Sequence, residues 1–305
     1  MAALMPQLLI VTDGLLSTEH GHAVHPLLDP WQKQLLRCSR SWYDSDSKTA
    51  LEWYAALQDM AAADIFAAAV KEQMPGGAQQ VWIASPYHAR LLRDQIRVMP
   101  DALLPWSEQD ARWICKLLNP LLREERVELL HHHAALLLVC DHPIDAMPVS
   151  FARVSGSALP NRHPDGADGG RLMRLMAEIQ MVLNLEPAQH RRVSGEPDVH
   201  GLWIWGGHEV ADDTPALATV SVATRNPLLM SLADAKDAAL MITDAEQLPQ
   251  LVQAGSPLPK HIVLAGQEKA VLLKPSLLPR FGKASWQPGA AEPAERLTPV
   301  LRSLV

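Results

Sequence analysis

The sequence is poor in cysteine and in long apolar runs. Its three cysteines, Cys38, Cys115 and Cys140, are odd in number and widely spaced, which is typical of reduced thiols and not of a disulfide framework. The longest apolar run, from Ala134 to Cys140, is far shorter than the roughly 18 residues that indicate a membrane span. No basic segment precedes the short apolar run at the amino terminus, so no signal peptide is expected. These absences predict a cytoplasmic protein.

Positive charge is also scarce. The 305 residues include 27 Lys and Arg against 34 Asp and Glu, a formal net charge of −7. Domains that mainly hold a phosphate backbone are usually basic, so the composition argues against nucleic-acid binding as the main activity. With 48% hydrophobic residues the chain can bury a large core, and it needs neither disulfides nor a structural metal to fold.

Strand-like apolar runs alternate with helical patterns along most of the chain. This alternation predicts an α/β fold, a mixed layered sheet with helices on both faces. The length favours two α/β lobes, residues 1–148 and 149–305, although one continuous domain is also compatible with it. The stretch 208–215 is acidic and contains proline, which is typical of a connector.

Helical periodicity is clearest over 171–185. One stripe of this segment is apolar, and it consists of Leu172, Leu175, Met176, Ile179 and Leu183. Met181 and Leu185 lie opposite this stripe, on the same side as Arg174 and Glu178, so the helix is expected to pack between two layers and the two charges can pair.

Other segments give shorter signals. Apolar spacing predicts a helix over 26–42, and the cap residue Ser107 and Pro120 predict one over 107–119. Strands are predicted over 81–84, stopped by Ser85-Pro86, and over 202–205, ended by Gly206-Gly207. Segments 126–132 and 134–140 are predicted to form a hairpin that bends near His131–His133.

Two motifs resemble a known family. They are LPNRHPDGADGGRLMRLMAEIQMVLNLEP over 159–187 and HGLWIWGGHEV over 200–210. Both are similar to the bacterial RpfE-type regulatory proteins, which are often labelled cofactor-independent phosphoglycerate-mutase-like. Ala177 and His208 depart from the family pattern. The resemblance implies a cytoplasmic bacterial protein with a regulatory role and a protein partner, and it implies no established reaction.

The motif residues are the candidates for contact with a ligand or partner. They are Asp168, Arg174, Glu178, Gln180, Trp203, Trp205, Gly206 and Gly207. Alternation along the strand places Trp203 and Trp205 on one face, where they can form part of the core or one wall of a pocket. A small-ligand sensor with a pocket at Arg174, Glu178 and the two tryptophans is therefore one hypothesis.

A catalytic alternative follows from the mutase label. Metal-dependent phosphatases or phosphomutases of the alkaline-phosphatase type need an Asp after the first strand, a Ser or Thr nucleophile and further Asp and His ligands for two divalent ions. The chain offers a set in this order, namely Asp13, Ser17, Asp141, His142 and His163. The set lacks a counterpart for the middle ligand cluster, so the sequence favours a non-catalytic interaction protein without a cofactor, and a divalent metal is expected only under the alternative.

Overall fold

The computed structural model describes residues 7–12, 16, 28, 31–35, 37–45, 48–93, 95–100, 103–210, 220–223, 240–244, 247–248, 259–266, 268–276 and 290–304. Strands and helices alternate through them, and the predicted α/β class is confirmed. The helices and strands in chain order are β1 (Leu8–Thr12), α1 (Gln32–Leu35), β2 (Cys38–Asp44), α2 (Ala50–Gln58), α3 (Ala62–Val70), β3 (Gln80–Tyr87), β4 (Ala89–Leu92), β5 (Gln95–Val98), α4 (Glu108–Leu122), β6 (Val127–His132), β7 (Ala135–Cys140), α5 (Phe151–Val154), α6 (Gly169–Leu185), α7 (Gln189–Ser194), β8 (Gly201–Glu209), β9 (Val220–Ala223), β10 (Leu240–Asp244), β11 (His261–Ala265), β12 (Lys269–Pro275) and α8 (Leu297–Arg302).

The chain forms two compact units. Unit 1 comprises Met1–Asp59 and Ala216–Val305, and unit 2 comprises Met60–Pro215. This division differs from the predicted lobes 1–148 and 149–305. The physical reason is strand pairing: β1 pairs in parallel with both β10 and β11, which joins the two ends of the chain in one sheet. Unit 2 is therefore a continuous insertion.

Unit 1 is built on a six-stranded sheet of order β2-β12-β11-β1-β10-β9. The strands β9, β10, β1 and β11 are parallel, whereas β12 runs antiparallel to both β11 and β2. All five residues of β1 are buried, as expected for a central parallel strand covered on both faces.

Unit 2 contains a four-stranded antiparallel sheet of order β6-β7-β3-β8. The predicted hairpin is confirmed as β6 and β7, and His133 takes a positive φ of 49° between them. Helix α4 packs on β6 and β7, α3 on β3, β6 and β8, and α6 on β8. These helices bury the sheet, so β7 is buried along most of its length.

The predicted helix over 171–185 is confirmed as α6. It begins two residues earlier, at Gly169, and its buried face includes the five predicted apolar residues. Met181 and Leu185, however, are 59% and 82% exposed. The expectation that α6 packs between two layers is therefore wrong, because only one side of the helix is covered.

Other predicted boundaries also differ from the structure. The segment predicted as a helix over 26–42 contains only the short α1 as a described helix, and it ends in β2, which pairs with β12. Strand β3 runs through Pro86. Among the described strands, β3 pairs with β8 alone beyond Ile83, so its other side has no ladder hydrogen bond there for the proline to interrupt. Helix α4 passes through Pro120, which has no backbone N–H and so cannot donate to the carbonyl group of Lys116. Both residues are on the exposed side of the helix.

Searched over its described residues, the structure holds no helix of the length and apolar character that crossing a bilayer requires.

Candidate functional site

The predicted pair Asp141 and His142 lies directly after β7 in unit 2. Asp141 Oδ1 is 2.9 Å from His142 Nδ1, and Asp141 Oδ2 accepts a hydrogen bond from Arg126 Nε at 3.0 Å and lies 2.9 Å from Arg126 Nη2. The hydrogen bond from His142, followed by that from Arg126, holds the pKa of Asp141 below its ordinary value. The aspartate is therefore ionised, and each of its two oxygens already has a partner.

The second ring nitrogen of His142 is also occupied. His142 Nε2 lies 3.2 Å from Arg171 Nη1, and Arg171 Nη2 donates to Glu125 Oε2 at 3.1 Å. A guanidinium group only donates, so Nε2 must accept, and the ring proton sits on Nδ1, where it is donated to Asp141. His142 therefore cannot act as a base or a metal ligand through Nε2 unless Arg171 moves away.

A small cavity lies beside this network. Its volume is about 20 Å³, enough for roughly one water molecule. The residues that line it are Glu125, Val127, His142, Ile144, Arg171, Leu172 and Leu175. Neither Arg174 and Glu178 nor the two motif tryptophans border it, so it is not the pocket that the sensor hypothesis requires.

Asp168 joins two loops next to the start of α6. Its Oδ2 accepts from the Asp145 backbone N–H at 2.9 Å, and Asp145 Oδ2 accepts from the Ala167 N–H at 2.9 Å. Gly166 has a φ of 107°, and a Cβ there would collide with the Asp145 carbonyl group. Asp168 and Gly166 thus shape and fasten this loop.

The catalytic alternative is only partly visible. Asp13 and Ser17 lie outside the described residues, and His163 is exposed. In the part of the chain that the structure describes, no group of three or more His, Cys, Asp or Glu side chains is arranged to hold a metal ion. The structure thus brings Asp141 and His142 together, while the remainder of the set stays a prediction.

Arg174, Glu178 and Gln180 lie along α6. Arg174 is exposed, and Glu178 and Gln180 are half-buried. The possible Arg174–Glu178 ion pair does not form: within the described ranges, neither residue has an oppositely charged partner within 4 Å. Among the described residues, the positive charge of Arg174 thus has no partner, and its side chain is exposed to solvent.

Trp203 and Trp205 belong to the core of unit 2. Their side chains are 3% and 5% exposed, and their ring N–H groups donate to the Val149 carbonyl group at 2.8 Å and to Ser85 Oγ at 2.9 Å. Both rings are thus covered and satisfied, so their contribution is packing and placement of β8 and not an open aromatic wall.

Gly206 and Gly207 do not end their strand. The register of β3 with β8 shifts between Val81 and Ile83, so β8 carries one extra residue at this point. Gly206 supplies the positive φ of 66° that such a bulge uses, and a Cβ at Gly207 would overlap the ring of Trp82. The two glycines are required by backbone geometry and by close packing.

Two charged features of unit 2 were not predicted. One is a buried cluster in which the Asp110 carboxylate meets Arg191 and His190 from α7. The other is the exposed β4–β5 hairpin, which carries Arg90 and Arg97 directly opposite each other. The sequence signal for the hairpin was alternation of polar and apolar residues in HARLL and QIRV, a weak pattern in strands of four residues.

Comparisons with known proteins are sparse. No protein-family model matches this chain, and no curated protein matches it. Among solved structures, it is similar to the cofactor-independent phosphoglycerate mutase from Thermoplasma acidophilum, with a TM-score of 0.39 and 12% sequence identity over 99% of each chain. The resemblance to the RpfE-type proteins therefore rests on the two sequence motifs.

Proposed function

We propose that this chain is a non-catalytic, RpfE-type regulatory protein that acts in the cytoplasm by binding a protein partner. The outer face of α6 is the surface that it uses. The observation that carries the proposal is the exposure of Met181 and Leu185, which project from a helix whose opposite side is fully packed. Covering large apolar side chains releases water and favours association.

The same face carries charge suited to a partner. Arg174, Glu178, Met181 and Leu185 follow the spacing i, i+4, i+7 and i+11, which places them on one stripe of a helix. Arginine beside apolar residues is typical of protein interfaces. The stripe therefore favours a partner that presents an apolar side chain next to a carboxylate, which would meet the Arg174 guanidinium.

The geometry gives the alternatives less support. Asp141 pairs with Arg126, and His142 is hydrogen-bonded to Arg171, so both side chains already have partners within the chain. A phosphatase or phosphomutase would depend on Asp13 and Ser17, which lie outside the described residues. A sensor would need a cavity larger than the one beside His142.

Affinity capture from lysate of the source cells tests the proposal. The tagged wild-type chain is compared with the double variant Met181→Ser/Leu185→Ser and with a matched control, Leu103→Ser/Met147→Ser, which removes two other exposed apolar side chains. A protein retained by the wild type and the control but lost with the α6 variant is the expected result. Arg174→Ala/Glu178→Ala should weaken its capture.

Two results would overturn the proposal. One is capture of the same proteins by all variants, with each variant shown to be folded by circular dichroism. The other is hydrolysis of p-nitrophenyl phosphate in the presence of magnesium or manganese that is abolished by Asp13→Ala, because it would establish catalysis.

A further inference from the structure

The β4–β5 hairpin has one covered edge and one open edge. On the covered side, the Ile96 carbonyl group accepts from the Leu159 N–H at 2.8 Å, and the Val98 N–H donates to the Ser157 carbonyl group at 2.9 Å. Backbone groups alternate in direction along a strand. The backbone groups of Gln95 and Arg97 therefore face β4.

The register then fixes which groups of β4 point outward. Arg90 and Leu92 are opposite Arg97 and Gln95, so their backbone groups face β5. Those of Ala89 and Leu91 face the other way. The Ala89 N–H indeed donates outward, to His200 Nδ1 at 3.1 Å. Among the residues that the structure describes, β4 pairs with β5 alone, so the N–H and C=O of Leu91 lie on an open edge.

Side chains on this edge are exposed and positively charged. Leu91 is 81% exposed, and Arg90, Arg93 and Arg97 are all exposed. The Arg97 guanidinium is fixed by hydrogen bonds from Nε and Nη2 to the Gly156 carbonyl group at 3.2 and 3.0 Å. No ion pair to any of these three arginines is found in the described part of the chain.

The arrangement is unfavourable for the isolated protein. Like charges directly opposite each other on a hairpin destabilise it, and Arg90 faces Arg97. By contrast, Arg123, Arg126 and Arg171 each pair with a carboxylate. A local excess of cations on a chain of net charge −7 is complementary to an acidic ligand.

We propose that the open edge of β4 binds an extended, acidic segment of a partner protein as an added strand. The segment's backbone pairs with the N–H and C=O of Leu91. Its residue beside Leu91 lies on the face of Leu91 and Ile96, so it is apolar. Its neighbour beside Arg90 lies on the opposite face, where a carboxylate meets Arg90 and the fixed Arg97. The ligand is thus a peptide in which acidic and apolar residues alternate.

This surface is separate from the α6 stripe, so the two proposals fail independently. The α6 variants used for affinity capture leave the sequence of β4 unchanged. The β4 proposal is tested with a defined peptide, so its outcome does not depend on what α6 captures. An open backbone edge also distinguishes a peptide from a lipid surface or a nucleic acid, because only the peptide can complete the strand hydrogen bonds.

Fluorescence anisotropy on the full chain tests the proposal. The probe is a labelled peptide of about seven residues, an ordinary strand length, in which Glu and Val alternate. Its control alternates Lys and Val. We expect saturable binding of the Glu peptide and no saturable binding of the Lys peptide. The Arg90→Glu variant should bind the Glu peptide about tenfold more weakly. Arg162→Glu, a charge reversal at an exposed arginine outside the hairpin, should change the affinity less than about twofold at 0.15 M salt.

A backbone variant separates strand addition from charge attraction alone. Leu91→Pro removes the outward N–H and should weaken binding as strongly as Arg90→Glu. Because this variant can fail to fold, hydrogen exchange of the wild type gives a second reading: the peptide should slow exchange of the Leu91 amide. The proposal is overturned by an unprotected Leu91 amide, by equal binding of the Lys peptide, or by tighter binding of phosphatidylserine vesicles or single-stranded DNA.

Discussion

The buried carboxylate of Asp110 provides the sharpest test of how unit 2 is held together. It lies at the start of α4 and is 1% exposed. The carboxylate accepts from Ser107 N and Oγ at 2.9 and 2.6 Å, from His190 Nε2 at 2.7 Å, and lies 2.9 Å from Arg191 Nη1. Arg191 is fully buried, so this contact joins α4 to α7 through charges that water does not reach.

We expect Asp110→Asn to destabilise unit 2 by about 3–5 kcal/mol, because the change leaves the Arg191 guanidinium buried without its charged partner. Glu196 Oε2, at 3.3 Å, is a weaker replacement because it is partly exposed. Removing both charges in Asp110→Asn/Arg191→Met should recover part of the loss, since no isolated buried charge remains.

The pH dependence of this difference has a definite sign. Burial by itself raises the pKa of Asp110, but hydrogen bonds from Ser107, Arg191 and His190 outweigh it and hold the pKa below the ordinary value of 3.8. The native state therefore binds fewer protons than the unfolded state. The stabilisation is complete above pH 3.8 and is lost as the pH falls through the lower native pKa. The gap between wild type and Asp110→Asn should narrow in that range.

Urea unfolding, monitored by tryptophan fluorescence, measures the free energy of unfolding of the wild type and of each variant. Because the chain has two units, unfolding can occur in more than one transition, and hydrogen exchange of the α4 and α7 peptides identifies the one that belongs to unit 2. A loss below about 1 kcal/mol for Asp110→Asn at pH 7 would refute the reasoning. So would a double variant less stable than the single one.

Three further outcomes follow from local geometry and burial. Gly169→Ala should lower the free energy of unfolding by about 1–3 kcal/mol, because its Cβ would overlap the Pro164 carbonyl group. Gly170→Ala should be neutral or slightly stabilising, because its Cβ would meet only His163 Nδ1, at an ordinary contact distance of 4.0 Å; thermal unfolding compares the two variants. Burial raises the pKa of both Cys115 and Cys140 to about 12, so Ellman's reagent at pH 8 should label them only after denaturation, and rapid labelling of the native chain would contradict this burial. Burial likewise raises the pKa of Tyr87 to about 12, so ultraviolet titration should show its ionisation later than that of free tyrosine.

Elements with a strong apolar period were predictable from sequence. Helix α6 and the β6–β7 hairpin are both confirmed, because each has a continuous apolar stripe or run that is buried where helices and the four-stranded sheet meet. Proline and glycine, which usually end helices and strands, led instead to wrong predicted boundaries. Pro86 and Gly206 lie inside strands, where a free strand side and a bulge accommodate them. These exceptions depend on which neighbours a strand has, and local sequence does not contain that information.

The two units were harder to predict for a similar reason. The acidic connector predicted over 208–215 does coincide with the end of unit 2 at Pro215. The other boundary, at Met60, falls between α2 and α3 without any change in composition. It is set by pairing of β1 with β10 and β11, which are more than 200 residues away in the chain.

For the polar sites, too, contacts between sequence neighbours were predictable and contacts between distant residues were not. Asp141 and His142 are adjacent in sequence, so their hydrogen bond was within reach of sequence reasoning. The partners that determine what they can do, Arg126 and Arg171, are brought to them by β6 and α6. The contact of Asp110 with His190 spans 80 residues, and no local pattern indicates it.

Compensation of charge is what distinguishes the structural ion pairs of unit 2 from the two surfaces that we propose for binding. Arg126, Arg171 and Arg191 each meet a carboxylate, and an anion that approached them would first have to displace it. Arg90 and Arg174 are exposed and have no such partner among the described residues. Their attraction for an external carboxylate is therefore not already satisfied within the chain, and screening by salt should weaken it. Binding that depends on Arg90 or Arg174 should accordingly fall with ionic strength, whereas the stability conferred by the buried Asp110–Arg191 pair should change little.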